Sequence, residues 1–230
     1  MNCKFGAIIV DAKGKIGGHV ISHNKYGAFM STKNMGKSNA SESQGKTRSM
    51  FSTVLKSYRN LTSQQMIAWN AITPLFARAN YFGENKIPAA TALYARLNLT
   101  LLSIGEDMIT DPPAFASPGE LATISLVATS APALTLTYTE AIPASVKAVV
   151  FATPPISKGR MATEMLYKKI GVLKTGVPDQ SPKSLATEYA SVFGALPAVG
   201  LKVHVAVQLV DTSSGISGLF RSAAAIVTAV

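Results

Sequence analysis

The residues able to do chemistry in this chain are few and widely spaced. The lone Cys3 has no partner for an intramolecular disulfide, and nothing beyond its type supports reading it as a catalytic thiol. His19 and His23 stand four apart, but the segment reads as strand and turn, which would set them on opposite sides of a bend with no Cys or carboxylate close in sequence. His204 falls in a polar slot of an alternating strand and reads as a surface side chain. Glu106 and Asp107 flank a helix end, and the remaining acids lie scattered among basic residues, so no carboxylate pair is set up for acid–base work. Ser31-Thr32-Lys33-Asn34-Met35-Gly36-Lys37-Ser38 approaches a phosphate-binding loop. Position 31 is Ser where Gly is required, no clear helix follows residue 38, and no strand-ending Asp is available for magnesium. These residues assemble no catalytic site, no cofactor is expected, and the chain reads as non-enzymatic.

Charge is the stronger signal. The formal net charge is +10. Within residues 1–60 lie ten Lys/Arg against Asp11 and Glu42, so nearly all of the excess sits in the first quarter. Such a region meets nucleic acid, an acidic protein surface or water. Its candidate contacts are Lys13, Lys15, Lys25, Lys33, Lys37, Lys46 and Arg48.

The elements that must present these charges follow from periodicity. Phe5–Val10, Ile16–Ser22 and Tyr26–Thr32 read as short strands of a ribbon, with turns at Ala12-Lys13-Gly14 and His23-Asn24. A ribbon this short has too little apolar surface to stand alone. Residues 33–43 read as an extended linker. Phe51, Val54, Leu55 and Tyr58 then share one helical face. Thr62 and Gln65 form a capping box for a second helix that runs through Trp69 towards Pro74. Pro88 suits the first turn of a third helix, lined by Leu93, Leu97, Leu101 and Ile104 and stopped by Gly105. Trp69 is expected at the centre of this small helical core. The first two helices can also be read as a helix-turn-helix. The second, however, offers only Gln64, Gln65 and Asn70, with no Arg or Lys between Leu61 and Ala77, so sequence-specific DNA reading is disfavoured.

Beyond Pro118 the period becomes two. Leu134, Leu136 and Tyr138 alternate with threonines, and Leu201 to Leu209 alternates likewise. Further strands are expected at Leu121–Val127, Val146–Ala152, Met165–Val172, Leu185–Phe193 and Phe220–Val230. The fold class expected is α+β, in three parts. A basic β-ribbon arm and linker occupies residues 1–43, a three-helix segment residues 44–117, and an immunoglobulin- or fibronectin-like β-sandwich residues 118–230. No apolar run reaches the eighteen or so residues of a membrane span, and Met-Asn-Cys-Lys lacks a signal-peptide core, so a soluble, unexported product without a membrane partner is expected.

Gly14-Lys15-Ile16-Gly17-Gly18-His19-Val20, Tyr26 with its basic run, Leu61-Thr62-Ser63-Gln64-Gln65 through Ala68-Trp69-Asn70, and Asn98-Leu99 through Asp111-Pro112-Pro113 resemble small structural proteins of tailed phages and prophages, including crAss-like phages. The resemblance covers residues 13–115 and carries over no catalytic residue. It implies a virion structural protein, located in the particle and made in the host cytoplasm, whose partners are its own copies and neighbouring virion proteins. Within that reading a tail or head-to-tail connector ring subunit leads over a capsid decoration protein. Ile16, Val20, Ile21, Phe29 and Met30 are the expected subunit contacts of the arm. A nucleic-acid-binding accessory protein using the arm, and a carbohydrate- or receptor-binding module, are the competing functions.

Overall fold

The computed structural model describes residues 12–24, 27–33, 41–80, 82–130, 133–162, 164–173 and 181–229. The expected strand Phe5–Val10, together with Lys25, Tyr26 and Lys37, lies outside them. Within them the fold is mixed helix and antiparallel sheet.

The chain enters as a three-stranded meander, β1 (Gly14–Ile16), β2 (His19–Asn24) and β3 (Gly27–Thr32). Where one strand was expected over Ile16–Ser22, the chain reverses. Ile16 pairs with His19 across Gly17-Gly18, and Gly17 takes φ +56°. A two-residue hairpin turn needs such positive φ, which glycine adopts without steric cost.

Helix α1 (Glu42–Arg59) begins two residues before the expected Gln44, because Ser41 and Gln44 form a reciprocal capping box. Helix α2 (Ser63–Ile72) carries the expected box of Thr62 and Gln65. A 3-10 turn over Thr73–Phe76 follows, then a small hairpin of β4 (Arg78–Ala79) and β5 (Asn85–Lys86). Helix α3 (Ala90–Ser103) has Ala89 as its N-cap, so Pro88 lies just outside the first turn. At the far end Gly105 is left-handed, and Glu106 N donates to Leu101 O at 3.0 Å while Gly105 N donates to Leu102 O at 3.2 Å. That bond pattern is the Schellman stop expected of a glycine after a helix.

The three helices close on Trp69, which is fully buried together with Val54, Tyr94 and Leu101. Tyr94 stands edge-on to both Trp69 and Tyr58, with ring centroids 5.1 and 5.2 Å apart. The Trp69 indole donates to Thr110 O at 2.8 Å. Buried Asn98 donates to Tyr94 O and Ile109 O and accepts from Ile109 N at 2.7 Å. A buried amide is tolerable because each of its groups is paired, and these bonds fasten the loop after α3 onto the helices.

The remaining strands are β6 (Ile124–Thr129), β7 (Ala133–Tyr138), β8 (Val146–Ala152), β9 (Lys168–Leu173), β10 (Lys183–Ser184), β11 (Lys202–Asp211) and β12 (Ser217–Ile226). They form two antiparallel sheets, β10-β7-β6 and β12-β11-β8-β9. Both sheets contribute to one core, with Leu126, Leu134 and Leu136 from the first and Val150, Val203, Val205 and Val207 from the second. The end of β6 meets the chain just after β12, where Thr129 bridges to Thr228. One expected strand is a helix: Leu185–Phe193 folds as α4 (Ala186–Phe193). Leu185, Tyr189 and Phe193 recur at four-residue spacing, which suits a helix face and not an alternating strand. Leu185 and Tyr189 reach the shared core, and left-handed Gly194 ends the helix. Met165, expected in a strand, belongs to a 3-10 turn over Glu164–Leu166.

The helices and the larger sheet also share contacts. Leu101 and Ile104 pack on Val149 and Val210, and Ile216, in the turn between β11 and β12, joins the helical core. Lys147 of β8 donates to Ile104 O at 3.1 Å and pairs with Glu106, while Lys169 of β9 donates to Ser103 O. Two cations thus meet the carbonyls at the C-terminus of α3, where the helix dipole favours positive charge.

Candidate interaction surfaces

The ribbon is the first surface. Residues paired directly across neighbouring strands project to the same face. Register therefore places Ile16, Ile21 and Met30 on one face and Val20 and Phe29 on the other, with Lys15 beside Val20. The five expected contact residues are thus divided between two faces. Ile21 is buried, Val20, Phe29 and Met30 are half-buried, and Ile16 is 64% exposed. Among the described residues no ribbon side chain belongs to any of the hydrophobic clusters of the body. Lys13, Lys15 and Lys33 are exposed. Lys46 and Arg48 sit apart from them on α1, where Lys46 pairs with Glu42 at 2.8 Å. His19 and His23 share one face of β2, not opposite sides of a bend. Four residues of extended chain separate their backbones by about 13 Å. No group of three or more metal-ligating side chains occurs among the described residues.

The helix pair offers little for reading bases. Gln65 donates to Asp111 at 3.1 Å and Asn70 to Met66 O at 2.9 Å, so two of the three amide side chains of α2 have internal partners. No helix among the described residues is long and apolar enough to cross a membrane.

A second surface, which sequence reasoning missed, lies on the face of the larger sheet turned away from the core. Phe151, Ala206 and Ser222 form a row across β8, β11 and β12, with Phe220 two residue pairs further along on the same face. The rings of Phe151 and Phe220 meet edge-on at 5.4 Å, leaving small Ala206 as the floor between them. Tyr167 and Glu164, from the turn before β9, complete an open cleft of about 370 Å³. Burial pushes the Tyr167 phenol above its ordinary pKa, while a hydrogen bond to Ser222 acts the other way. Phe220 is 58% exposed. The signal was present in Val146–Ala152 and Lys202–Asp211, where apolar residues occupy both strand faces.

His204 lies on this same sheet face, two residue pairs beyond Ala206. It is buried, contrary to the surface position expected, and its Nε2 has no hydrogen-bond partner among the described residues. Burial, with Lys202 acting in the same direction, lowers its pKa. Its backbone N–H donates to Thr153 Oγ1 at 3.1 Å. Thr153 O in turn accepts from Tyr189 Oη, also at 3.1 Å, and burial pushes the Tyr189 phenol up to about 12. The carboxylate of Asp211 has a structural task. Burial would raise its pKa, but hydrogen bonds from the side chains and backbone of Ser213 and Ser214 prevail and hold it low, fastening the turn that carries Ile216 to the helices.

Compared with protein-family models, with curated proteins and with solved structures, the chain matches none.

Proposed function

We propose that this chain is a structural subunit of a tailed-phage particle, a tail or head-to-tail connector ring component whose basic ribbon joins neighbouring copies. The observation that carries the reading is how the ribbon stands apart, among the described residues, from the body's hydrophobic clusters. It pairs with itself, contributes to none of the body's hydrophobic clusters among the described residues, and leaves Ile16 64% exposed. Ordering a backbone costs about 1–2 kcal/mol per residue, and a lone short ribbon recovers little of that by burial. Assembly supplies the missing partner surface. On this reading the two facing sheets form an immunoglobulin- or fibronectin-like sandwich, supported by their antiparallel pairing and single shared core. Helix α4 takes the stretch of chain in which a strand was expected.

Exposed Lys13, Lys15 and Lys33 favour one alternative, a nucleic-acid contact. Its mark would be a DNA affinity that falls steeply with salt.

Sedimentation of the full chain tests the main reading. Oligomers should form with rising concentration, and Ile16→Glu should weaken them while leaving the melting of the monomer unchanged, because the side chain is already exposed. A monomer at every accessible concentration, or assembly indifferent to Ile16→Glu, would reject the arm-mediated subunit.

A further inference from the structure

The cleft on the outer sheet face combines aromatic walls with an uncompensated carboxylate. Phe151, Phe220 and Tyr167 supply the rings and Glu164 the charge. Among the described residues Glu164 has no ion pair, although lysines stand nearby in sequence. Lys168 places its Nζ 5.5 Å from the Phe193 ring, and Lys169 donates to Ser103 O at the end of α3. Arg221, next to Phe220 on β12, turns to Ala122 O at 2.7 Å and towards Glu120. These three basic side chains are thus directed elsewhere.

Aromatic faces attract a cation through the ring quadrupole, and a carboxylate beside them adds a direct charge partner. An ammonium group on a flexible stem fits such an opening, its methylenes lying against the rings while the head reaches the carboxylate. The ribbon offers this group three times, as exposed Lys13, Lys15 and Lys33. The geometry points to the Phe151–Phe220–Tyr167–Glu164 cleft as the receptor for an arm lysine of a second copy of this chain. This inference rests on the arm-mediated assembly proposed above and names the surface on which the arm lands. The charge asymmetry of the sequence supports the choice of occupant, since the arm is where the excess positive charge lies.

Zero-length carbodiimide coupling tests it, because the reagent joins a carboxylate to an amine only where the two touch. A mixture of ordinary and nitrogen-15-labelled full chains, coupled and then digested for mass spectrometry, should yield a Glu164 peptide joined to one bearing Lys13, Lys15 or Lys33. The pair should appear in mixed-isotope form. The product should be lost with Glu164→Gln and weakened with Phe220→Ala, whose exposed ring can be removed without opening the core. Oligomers whose arm lysines couple elsewhere, or a Glu164 product found only within single-isotope chains, would overturn the inference while leaving arm-mediated assembly standing. Absence of any oligomer would reject both.

Discussion

Replacing Trp69 probes whether the helical segment and the sheets behave as one body. The indole is completely buried, stacks edge-on against Tyr94 at 5.1 Å and donates a 2.8 Å hydrogen bond to Thr110 O. Truncating such a ring to alanine removes its transfer free energy and leaves a cavity, together costing about 3–5 kcal/mol. Trp69→Phe keeps most of the apolar volume but leaves Thr110 O without its donor, a loss of about 1–3 kcal/mol if water cannot enter. For a chain of this size each kcal/mol lowers Tm by about 2–4 °C, so the alanine variant should melt roughly 6–20 °C lower. Urea denaturation followed by far-ultraviolet circular dichroism is the suitable assay, because Trp69 is the only tryptophan and its fluorescence is lost with it. A single transition is expected, since Leu101 and Ile104 pack on Val149 and Val210 and Ile216 enters the helical core. An alanine variant within about 0.5 kcal/mol of the parent, the usual range for surface changes, would refute the core assignment. Two separate transitions would refute the coupling.

Gly215→Ala should destabilise the protein by about 2 kcal/mol or more, since Gly215 has φ +69° and an added Cβ would lie 2.5 Å from Leu97 O, on the backbone of α3. An unchanged denaturation midpoint would mean that the β11–β12 turn does not rest on that helix. For His204 the folded pKa is below the unfolded value. The unfolded chain therefore takes up the proton first, and stability should decline as pH falls below about 6.5, levelling off only beneath the folded pKa. Comparing urea midpoints across that range with those of His204→Gln isolates the effect. The variant should lose part of the slope, and equal slopes would show that the imidazole titrates alike in both states.

Local rules made much of the helical segment legible. Thr62 and Gln65 announced α2, the four-residue spacing from Leu93 to Leu101 gave α3, and Gly105 marked its end. The capping box of Ser41 and Gln44 was equally readable, yet the glycine- and serine-rich run before it obscured the start of α1. Leu185–Phe193 was misjudged because Ala, Thr, Ser and Val suit either state, and the deciding repeat of Leu185, Tyr189 and Phe193 is short. His204 illustrates a different limit. Alternation along β11 marks one face as apolar, but whether the opposite face meets solvent depends on segments distant in sequence. The cleft escaped detection for the same reason, since Phe151 and Phe220 are 69 positions apart and only strand register brings them together.

Amide hydrogen exchange reports on the ribbon strand by strand. In a monomer verified by sedimentation, the amides of His19–Asn24 should exchange quickly, near the rate of frayed structure, because a short ribbon outside the body's hydrophobic clusters opens at little cost. In the assembled form the same amides should become strongly protected, while those of β8 and β11 remain protected in both states. Full protection of residues 14–32 in the monomer would show that the ribbon is stabilised within its own chain, and assembly through the arm would be contradicted.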